Sequence, residues 1–447
     1  MSIYVNRTLN LKQISIIGFD MDYTLVRYKS EVFEEMTFRE MIRKLINDKN
    51  YPQEIEQFQF DFQRIIRGLV FDKSRGNLLK LCRYRKVRSC YHGSHLLSFQ
   101  EMQKIYKGLV IDLNDKNYSA IDTTFSVSSA LLFSLIVDYV DAKYPTPLPS
   151  YEAIYNDIND VLDRSHMDGS LKDEVVKNPQ KFVIQDPYIP EALEKLKAGQ
   201  KRLIIVTNSD YRYTKALLDY TFNPFLKAHQ DWSTLFDLTI TGSEKPRFFT
   251  ERRRFLCVDP SSGLMKNWDK PLEQGIYQGG NADAITRHYG VSGDQILYLG
   301  DHIYGDILTL KKSCNWRTGL IIEELNDEVI LQQQGASTLQ KIEELMRQKE
   351  ALELILFQSE QETVESRRVY GEIRTIDSEV SNHITKYQSL FNPYWGPIMR
   401  AGQEESRLTG QVQKYACIYM GKVSDLNSYS PRHYFRPKRR PLPHEQF

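Results

Sequence analysis

The sequence of 447 residues lacks several features that would assign it to a specialised class of protein. Its five cysteines are odd in number and widely spaced, without a C-x-x-C pair, which argues against a disulfide framework or a zinc cage and favours a reducing compartment. The N-terminus lacks the apolar run of a secretory signal. The most apolar internal stretch, 130–140, is interrupted by Ser134 and Asp138, so we interpret it as a buried helix. A formal charge of +1 gives no overall attraction to nucleic acid or membrane. We therefore expect a cytoplasmic protein with neither as a partner.

What the sequence does contain is a series of short apolar runs, each followed at once by polar residues. The runs are ISIIGFD (14–20), RLIIVTN (202–208), DLTITGSEK (237–245), QILYLGD (295–301) and TGLIIEEL (318–325). Runs of this length with little polar alternation are typical of strands buried on both faces of a parallel sheet. Helical patterns lie between them, for example at 211–220. The sequence therefore predicts an α/β fold with an open parallel sheet, in which ligands bind beyond the carboxyl ends of the strands.

The chain length and the spacing of the runs predict three regions. About 180 residues separate the first two runs, too many for one crossover. We predict a catalytic core from 1–26 and 184–325, a mainly helical inserted cap domain over 27–183, and a helical C-terminal extension over 326–447 that packs on the core. Helices are expected at 129–144 and 339–356, a break at 144–149, and an irregular, basic, Pro-rich tail at the end.

Two carboxylates, Asp20 and Asp22, directly follow the first predicted strand. At positions i and i+2 of an extended chain they point to the same side, so both can address one substrate atom and one cation. One can attack phosphorus while the other moves a proton. Alone, a D-x-D-x-T pattern is weak, because an acidic turn capped by Thr24 would have the same residues.

The next two predicted strands end in groups that can hold an anion. Thr207, Asn208 and Ser209 offer hydroxyls, an amide and backbone N–H groups at the start of a helix. Simple N-capping would explain Ser209 but would leave the other two without a role. Lys245, after the third strand, could hold a phosphoryl oxygen, although a lone lysine before proline is ordinarily a solvated loop residue.

The fourth predicted strand is followed by Asp301 and Asp306, whose oxygens are the ligands that a hard cation such as magnesium prefers. His302 between them invites a transition-metal interpretation, but no second histidine or cysteine stands nearby.

The order of these four sites along the chain resembles the haloacid-dehalogenase (HAD) superfamily of phosphatases. The segments VTNSDYRYT, GSEKPRFF, GIYQGGN and ILYLGDHIYGDIL are similar to its cytosolic purine 5′-nucleotidases, as are DVLDRSHMDGSLK in the insert and WGPIMRAGQEESRLTGQVQKYACIY near the C-terminus. The resemblance implies a HAD-type core and a phosphoric monoester hydrolase with Mg²⁺ as cofactor. Asp20 would be the nucleophile and Asp22 the acid and base.

The same resemblance implies the other roles at the phosphate and the metal. Thr207, Asn208 and Lys245 would hold the phosphoryl group, and Lys172 and Ser209 would contact the phosphate. Asp301 would bind magnesium with the Asp20 carboxylate and the Asp22 backbone carbonyl, while Asp306 would orient the metal shell. Family members also form homo-oligomers, so a dimer or tetramer is expected.

The insert carries the candidate residues for the base. Phe125 could stack on a base, and a carboxylate such as Asp163 accepts a hydrogen bond from the N1–H that hypoxanthine and guanine carry and adenine lacks. The resemblance makes Phe125 the stacking residue and Asp163 and His166 base readers. Asn159 stands where the family has a base-reading arginine, so the ranking of IMP against GMP stays open. A surface helix of ordinary charges, with Phe125 in the core, explains the same residues without a base.

The sequence thus predicts a magnesium-dependent 5′-nucleotidase that prefers IMP and GMP and works through an aspartyl phosphate. Two alternatives stay open. One is a phosphatase of the same superfamily that acts on another small phosphate ester. The other is a binding protein with a decayed site, whose basic tail (432–440) contacts an acidic partner. The intact site argues against it, with Asp20, Asp22, Lys245 and Asp301 all present.

Overall fold

The computed structural model describes residues 2–144, 149–358, 364–439 and 442–445. Within these ranges the strands, in chain order, are β1 (Ile3–Val5), β2 (Leu9–Asn10), β3 (Ile16–Phe19), β4 (Arg27–Tyr28), β5 (Val70–Asp72), β6 (Asn77–Leu81), β7 (Val87–His92), β8 (His95–Leu96), β9 (Tyr118–Ala120), β10 (Val183–Ile184), β11 (Arg202–Val206), β12 (Leu238–Thr241), β13 (Phe255–Val258), β14 (Met265–Trp268), β15 (Gly275–Gly279), β16 (Ile296–Gly300), β17 (Arg317–Ile321), β18 (Arg400–Ala401), β19 (Glu404–Glu405), β20 (Ile418–Met420) and β21 (Tyr434–Phe435).

The α-helices in the same part of the chain are α1 (Ser30–Lys49), α2 (Phe99–Tyr106), α3 (Val127–Lys143), α4 (Tyr151–Met167), α5 (Lys172–Lys177), α6 (Pro179–Phe182), α7 (Tyr188–Ala198), α8 (Tyr211–Thr221), α9 (Trp232–Leu235), α10 (Arg247–Thr250), α11 (Ala282–Tyr289), α12 (Thr309–Ser313), α13 (Leu325–Gln334), α14 (Ala336–Gln358), α15 (Val364–Gln388) and α16 (Arg407–Tyr415). A π-helical turn, Ile303–Leu308, precedes α12.

A ten-stranded sheet forms the centre of the molecule, in the order β1-β20-β17-β16-β3-β11-β12-β15-β13-β14. The strands from β20 to β15 run parallel, while β1, β13 and β14 are antiparallel to their neighbours. All four residues of β3 are buried, because helices cover both faces of a parallel sheet. The predicted α/β fold with a parallel sheet is confirmed, and all five apolar runs contain a strand of this sheet.

The sheet order brings the predicted site together. Strand β3 lies between β11 and β16, and β12 follows β11. The register pairs Ile17 with Leu203 on one side and with Leu297 on the other. Because these strands are parallel, the polar residues that follow them lie along one edge of the sheet.

The insert begins and ends in a two-stranded pair, in which β4 pairs with β10. Between them α1, α3 and α4 share a hydrophobic core. The prediction of a mainly helical insert missed a five-stranded antiparallel sheet, β8-β7-β6-β5-β9. The domain limits at 27 and 183 stay a prediction, and the β4–β10 pair is consistent with them.

Helix α3 corresponds to the apolar helix predicted at 129–144. By length and composition alone, Thr124–Lys143 could cross a membrane, but 61% of its most apolar window is buried inside the protein. Core helices of globular proteins pass the same test. The predicted break after this helix falls largely on 145–148, outside the described residues.

The region after residue 325 differs from the predicted helical extension. Helices α14 and α15 form an antiparallel hairpin that contains the helix predicted at 339–356. However, β20 joins the main sheet beside β17, and Trp395 packs on Tyr91 of the insert with ring centroids 4.6 Å apart. The region therefore completes the core sheet and contacts the insert as well. The basic tail is not wholly irregular either, because β21 pairs with β2 and buries Phe435.

Candidate active site

Two carboxylates follow β3 and have different surroundings. Asp20 is 8% exposed, and its Oδ1 accepts a hydrogen bond from the Met21 N–H at 2.8 Å. Asp22 accepts hydrogen bonds on both oxygens, from the Tyr28 hydroxyl at 2.6 Å and from the Ser209 hydroxyl at 2.7 Å. Burial raises the pKa of both carboxyls; Lys245 opposes the shift at Asp20, and the two hydroxyl donors oppose it at Asp22. One carboxylate is therefore paired with a cation and the other is held by hydroxyls.

Lys245, after β12, is the cation that pairs with Asp20. Its Nζ lies 2.8 Å from Asp20 Oδ1 and 2.7 Å from Asp306 Oδ1, and it donates to the Tyr298 hydroxyl at 3.1 Å. The side chain is only 5% exposed. Burial acts to lower the pKa of Lys245, but Asp20 and Asp306 outweigh it and raise the pKa, so the ammonium is fixed in its charged form. The structure thus excludes the solvated-loop interpretation of this lysine.

The segment after β11 supports Lys245 and Asp22 through local hydrogen bonds. Asn208 Oδ1 accepts the Lys245 N–H at 2.6 Å and the Ser243 hydroxyl at 3.0 Å. Thr207 is fully buried, and its hydroxyl accepts the Ser209 N–H at 3.1 Å. The predicted phosphate contacts of Thr207 and Asn208 stay predictions. What the structure shows is that these two residues fix the backbone of the segments that carry Lys245 and Ser209.

Three carboxylates, of Asp20, Asp301 and Asp306, form a group whose oxygens lie within 4.8 Å of one another. A β-carbon at Gly300 would lie 2.4 Å from Asp306 Oδ2, so only glycine allows this close approach at the end of β16. Burial, and next to it Asp306, raises the pKa of Asp301 to about 7. Because one ammonium faces three buried carboxylates, the group fits a divalent cation with oxygen ligands such as magnesium. The side chain of Asp22 points to Tyr28 and Ser209 instead, so this residue could contribute only its backbone carbonyl.

Sequence reasoning missed three residues around this group. Tyr28 holds Asp22, and Tyr298 accepts from Lys245 and donates to the Val206 carbonyl at 2.8 Å. Arg67 reaches in from the insert, where it donates to the Asp301 carbonyl at 3.0 Å and pairs with Glu324 at 2.7 Å. Arg67 stands 234 residues from Asp301 in the sequence, and no local pattern indicates such a contact.

On the insert side, the structure brings Phe125 and His166 together and puts Lys172 near enough to Asp22 for its charge to act on that carboxyl. The Phe125 ring lies 5.3 Å from that of His166 and 4.7 Å from that of Tyr23. Burial, and after it the charge of Lys172, lowers the pKa of His166 to about 4, and its Nε2 has no hydrogen-bond partner in the described part of the chain. Lys172 also acts on the pKa of Asp22, and its Nζ lies 3.0 Å from Asp210.

The two other candidates for base recognition lie on α4, which also carries His166. Asp163 is exposed and Asn159 is half-buried. Burial, and after it the charge of Asp160, raises the pKa of Asp163. The spacing of four and then three residues places Asn159, Asp163 and His166 on one face of the helix. Asp163 forms no hydrogen bond or ion pair with another described residue.

Comparisons with known proteins identify the family of this chain. A family model described as "5' nucleotidase family" matches residues 3–447. A 5′-nucleotidase domain-containing protein of Dictyostelium discoideum is 27% identical over 99% of this chain and 74% of its own length. The 5′-nucleotidase domain-containing protein 2 of Rattus norvegicus is 29% identical over 99% of this chain and 80% of its own length.

A solved structure of a HAD phosphatase from Thermococcus onnurineus is 13% identical and covers 69% of this chain and 87% of its own, with a TM-score of 0.26. A score of this size supports no inference about fold or function.

Proposed function

Because this chain belongs to the 5′-nucleotidase family and is a phosphoric monoester hydrolase, we propose that it hydrolyses purine nucleoside 5′-monophosphates with magnesium as cofactor. We propose IMP and GMP as the preferred substrates and an aspartyl phosphate as the intermediate. The observation that carries the proposal is the contrast between two adjacent carboxylates. Asp20 is paired with Lys245 in the three-carboxylate group, and Asp22 is held separately by two hydroxyls.

This contrast fits the division of work that phosphoester hydrolysis requires. An Asp20 oxygen attacks phosphorus as the bond to the 5′-oxygen of the nucleoside breaks, and Asp22 gives its proton to that oxygen. Water then attacks the phosphoryl group on Asp20 and gives a proton to Asp22, which releases phosphate and restores both residues. Burial favours the protonated form of Asp22 that the first step needs.

Lys245 is placed to neutralise phosphoryl oxygens next to Asp20, because its ammonium is fixed by two carboxylates and a tyrosine hydroxyl. Asp20, Asp301, Asp306 and the Asp22 carbonyl would hold magnesium, which when bound supplies positive charge against the phosphoryl oxygens. Lys245 can balance the charge of only one of the three buried carboxylates, so the group still favours a bound metal ion.

The preference for 6-oxopurines rests on the insert. Phe125 offers a half-buried aromatic ring beside His166, whose buried Nε2 has no hydrogen-bond partner among the described residues. Lys172 and Ser209, which both act on Asp22, suit the phosphate end of the same substrate. Asp163 and Asn159 would read the base edge from the same face of α4. Asp163 is exposed, so a base would have to cover its carboxylate to be read by it.

We further propose a reducing, cytoplasmic setting, since the described cysteines are all free. We also propose assembly as a dimer or tetramer, with no nucleic-acid or membrane partner.

Phosphate release from a panel of substrates tests the proposal. The panel contains IMP, GMP, AMP, CMP, a sugar phosphate and p-nitrophenyl phosphate, each with magnesium present. We expect kcat/KM to be highest for IMP and GMP. If a sugar phosphate is hydrolysed best, the chain is a phosphatase for another small ester; if no nucleotide is hydrolysed faster than p-nitrophenyl phosphate, the proposed preference for purine nucleotides is wrong.

A further inference from the structure

Helix α3 begins without a cap of its own. Ser126 occupies its N-cap position but makes no side-chain capping hydrogen bond. The first N–H groups of a helix need partners from outside the helix. Glu34 of α1 supplies one, since its Oε2 accepts the Ser128 N–H at 3.1 Å. A carboxyl group from another helix therefore takes the place of the missing local cap.

The helix end that Glu34 holds continues directly into the turn of Phe125. This residue lies in the 3-10 turn Thr124–Ser126, immediately before α3. Phe33, the neighbour of Glu34 on α1, contacts the Phe125 ring with a centroid distance of 5.6 Å. Helix α1 thus fixes both the ring of Phe125 and the backbone that follows it.

Burying the carboxyl group of Glu34 lowers the stability of the fold. Glu34 is fully buried, and its Oε1 has no hydrogen-bond partner among the described residues. Burial raises the pKa of this carboxyl to about 7, against the hydrogen bonds from Ser128. An apolar side chain of similar size would avoid the cost of a half-satisfied buried acid. Glu34 itself cannot touch a substrate in this structure, because it is shielded from solvent.

We propose that Glu34 is a positioning residue for base recognition, which caps α3 from α1 and thereby holds Phe125 where a purine can stack on it. The inference rests on the proposed function, in that it requires a base on Phe125. It distinguishes Glu34 from the neighbouring Glu35, which points to solvent on the same helix.

Steady-state kinetics of Glu34→Leu test this role, with IMP as the purine substrate and p-nitrophenyl phosphate as a substrate without a base. We expect KM for IMP to rise about fivefold, a change equivalent to about 1 kcal/mol, which is the size of the contribution of one helix cap to stability. The kinetics with p-nitrophenyl phosphate should change by less than about twofold, because the cap lies outside the phosphate site. Glu34→Gln should restore KM for IMP, since its amide oxygen can still accept the Ser128 N–H. Glu35→Leu is the matched control and should behave as wild type.

The outcomes separate this inference from the proposed function. If wild-type enzyme prefers IMP to p-nitrophenyl phosphate but Glu34→Leu changes both substrates alike, or neither, Glu34 is not a positioning residue. Failure of Glu34→Gln to restore KM would also overturn the inference. If the wild type itself does not distinguish the two substrates, the proposed base recognition is wrong, and the role of Glu34 is wrong with it. Should Glu34→Leu not fold, Glu34→Asp asks the same question, because its shorter side chain withdraws the carboxyl from Ser128.

Discussion

Replacing Glu34 by Gln should change how the stability of the protein depends on pH. The carboxyl is fully buried, and burial raises its pKa from the usual 4.5 to about 7. Below pH 4.5 the group is protonated in both folded and unfolded chains and has no differential effect. Between pH 4.5 and 7 the unfolded chain ionises while the folded chain keeps its proton, so the free energy of unfolding falls as pH rises.

The size of this effect follows from the pKa difference between the two states. A shift from 4.5 to about 7 corresponds to a loss of at most about 3 kcal/mol by pH 8. Glutamine has no proton to lose, so Glu34→Gln should escape this loss. The other groups that face Glu34 are Ser128, which does not titrate, and Tyr23, whose pKa burial raises well above its usual value. Neither contributes in this range.

The assay is denaturant unfolding of wild type and Glu34→Gln at pH 5 and pH 8. The difference in unfolding free energy between the two proteins removes the contribution of all other groups. We expect the variant to gain about 2.5 kcal/mol relative to wild type between pH 5 and pH 8, because part of the total loss has already occurred at pH 5. Glu35→Gln, an exposed control, should show no such gain. A difference that does not change with pH, or that changes in the opposite direction, would show that folding does not raise the pKa of Glu34.

Three further predictions concern catalysis. Asp22→Asn should still bind substrate, but kcat for IMP should fall about 100-fold or more, because an amide cannot give or take the proton. A variant that loses only magnesium affinity in binding measurements would contradict the acid/base assignment. Chelation by EDTA should abolish phosphate release, and added magnesium should restore it, since the three-carboxylate group offers oxygen ligands. Full activity after exhaustive chelation would exclude a catalytic metal ion. A specific need for zinc would instead indicate His302 as a ligand. Asp163→Ala should reduce the preference for IMP over AMP by about 1 to 3 kcal/mol in kcat/KM, and equal slowing of every substrate would show that Asp163 does not read the base.

The sequence predicted the central sheet, and the edge at which the candidate site residues lie, because the information is local. Each buried strand is a short apolar run, and the polar residue that follows it belongs to the site. Parallel order then brings Asp20, Thr207, Lys245 and Asp301 to one edge, although some 280 residues separate the first from the last. Periodicity also sufficed for α3 and α14, whose length and composition are distinctive.

The strands that were missed have weak local signals. Those of the insert are two to six residues long, and β7 alternates little between buried and exposed positions. Strand β20 has only three residues and joins the sheet beside β17, about 100 positions earlier in the chain. Pairing over such distances depends on the whole fold and leaves no periodic pattern in the sequence.

Side-chain contacts between residues far apart in the sequence could not be predicted either. Arg67 supports Asp301 from the insert, and Glu34 caps a helix that begins 93 residues later. Lysine, arginine and glutamate at such positions look like ordinary surface charges until the fold shows that they are buried. Conversely, Asp163 was expected to be buried against a base, and the structure leaves it exposed.

Chemical trapping of the phosphoryl group shows whether Asp20 is the nucleophile. Wild-type enzyme is mixed with IMP labelled in its phosphate, in the presence of magnesium, and quenched in acid within the first turnover. We predict label on the peptide that contains Asp20, released by hydroxylamine as an acyl phosphate is. Asp20→Asn should take up no label and should retain less than about a tenth of the wild-type rate. Turnover of IMP without any labelled protein, or with label on a peptide that lacks Asp20, would contradict the account.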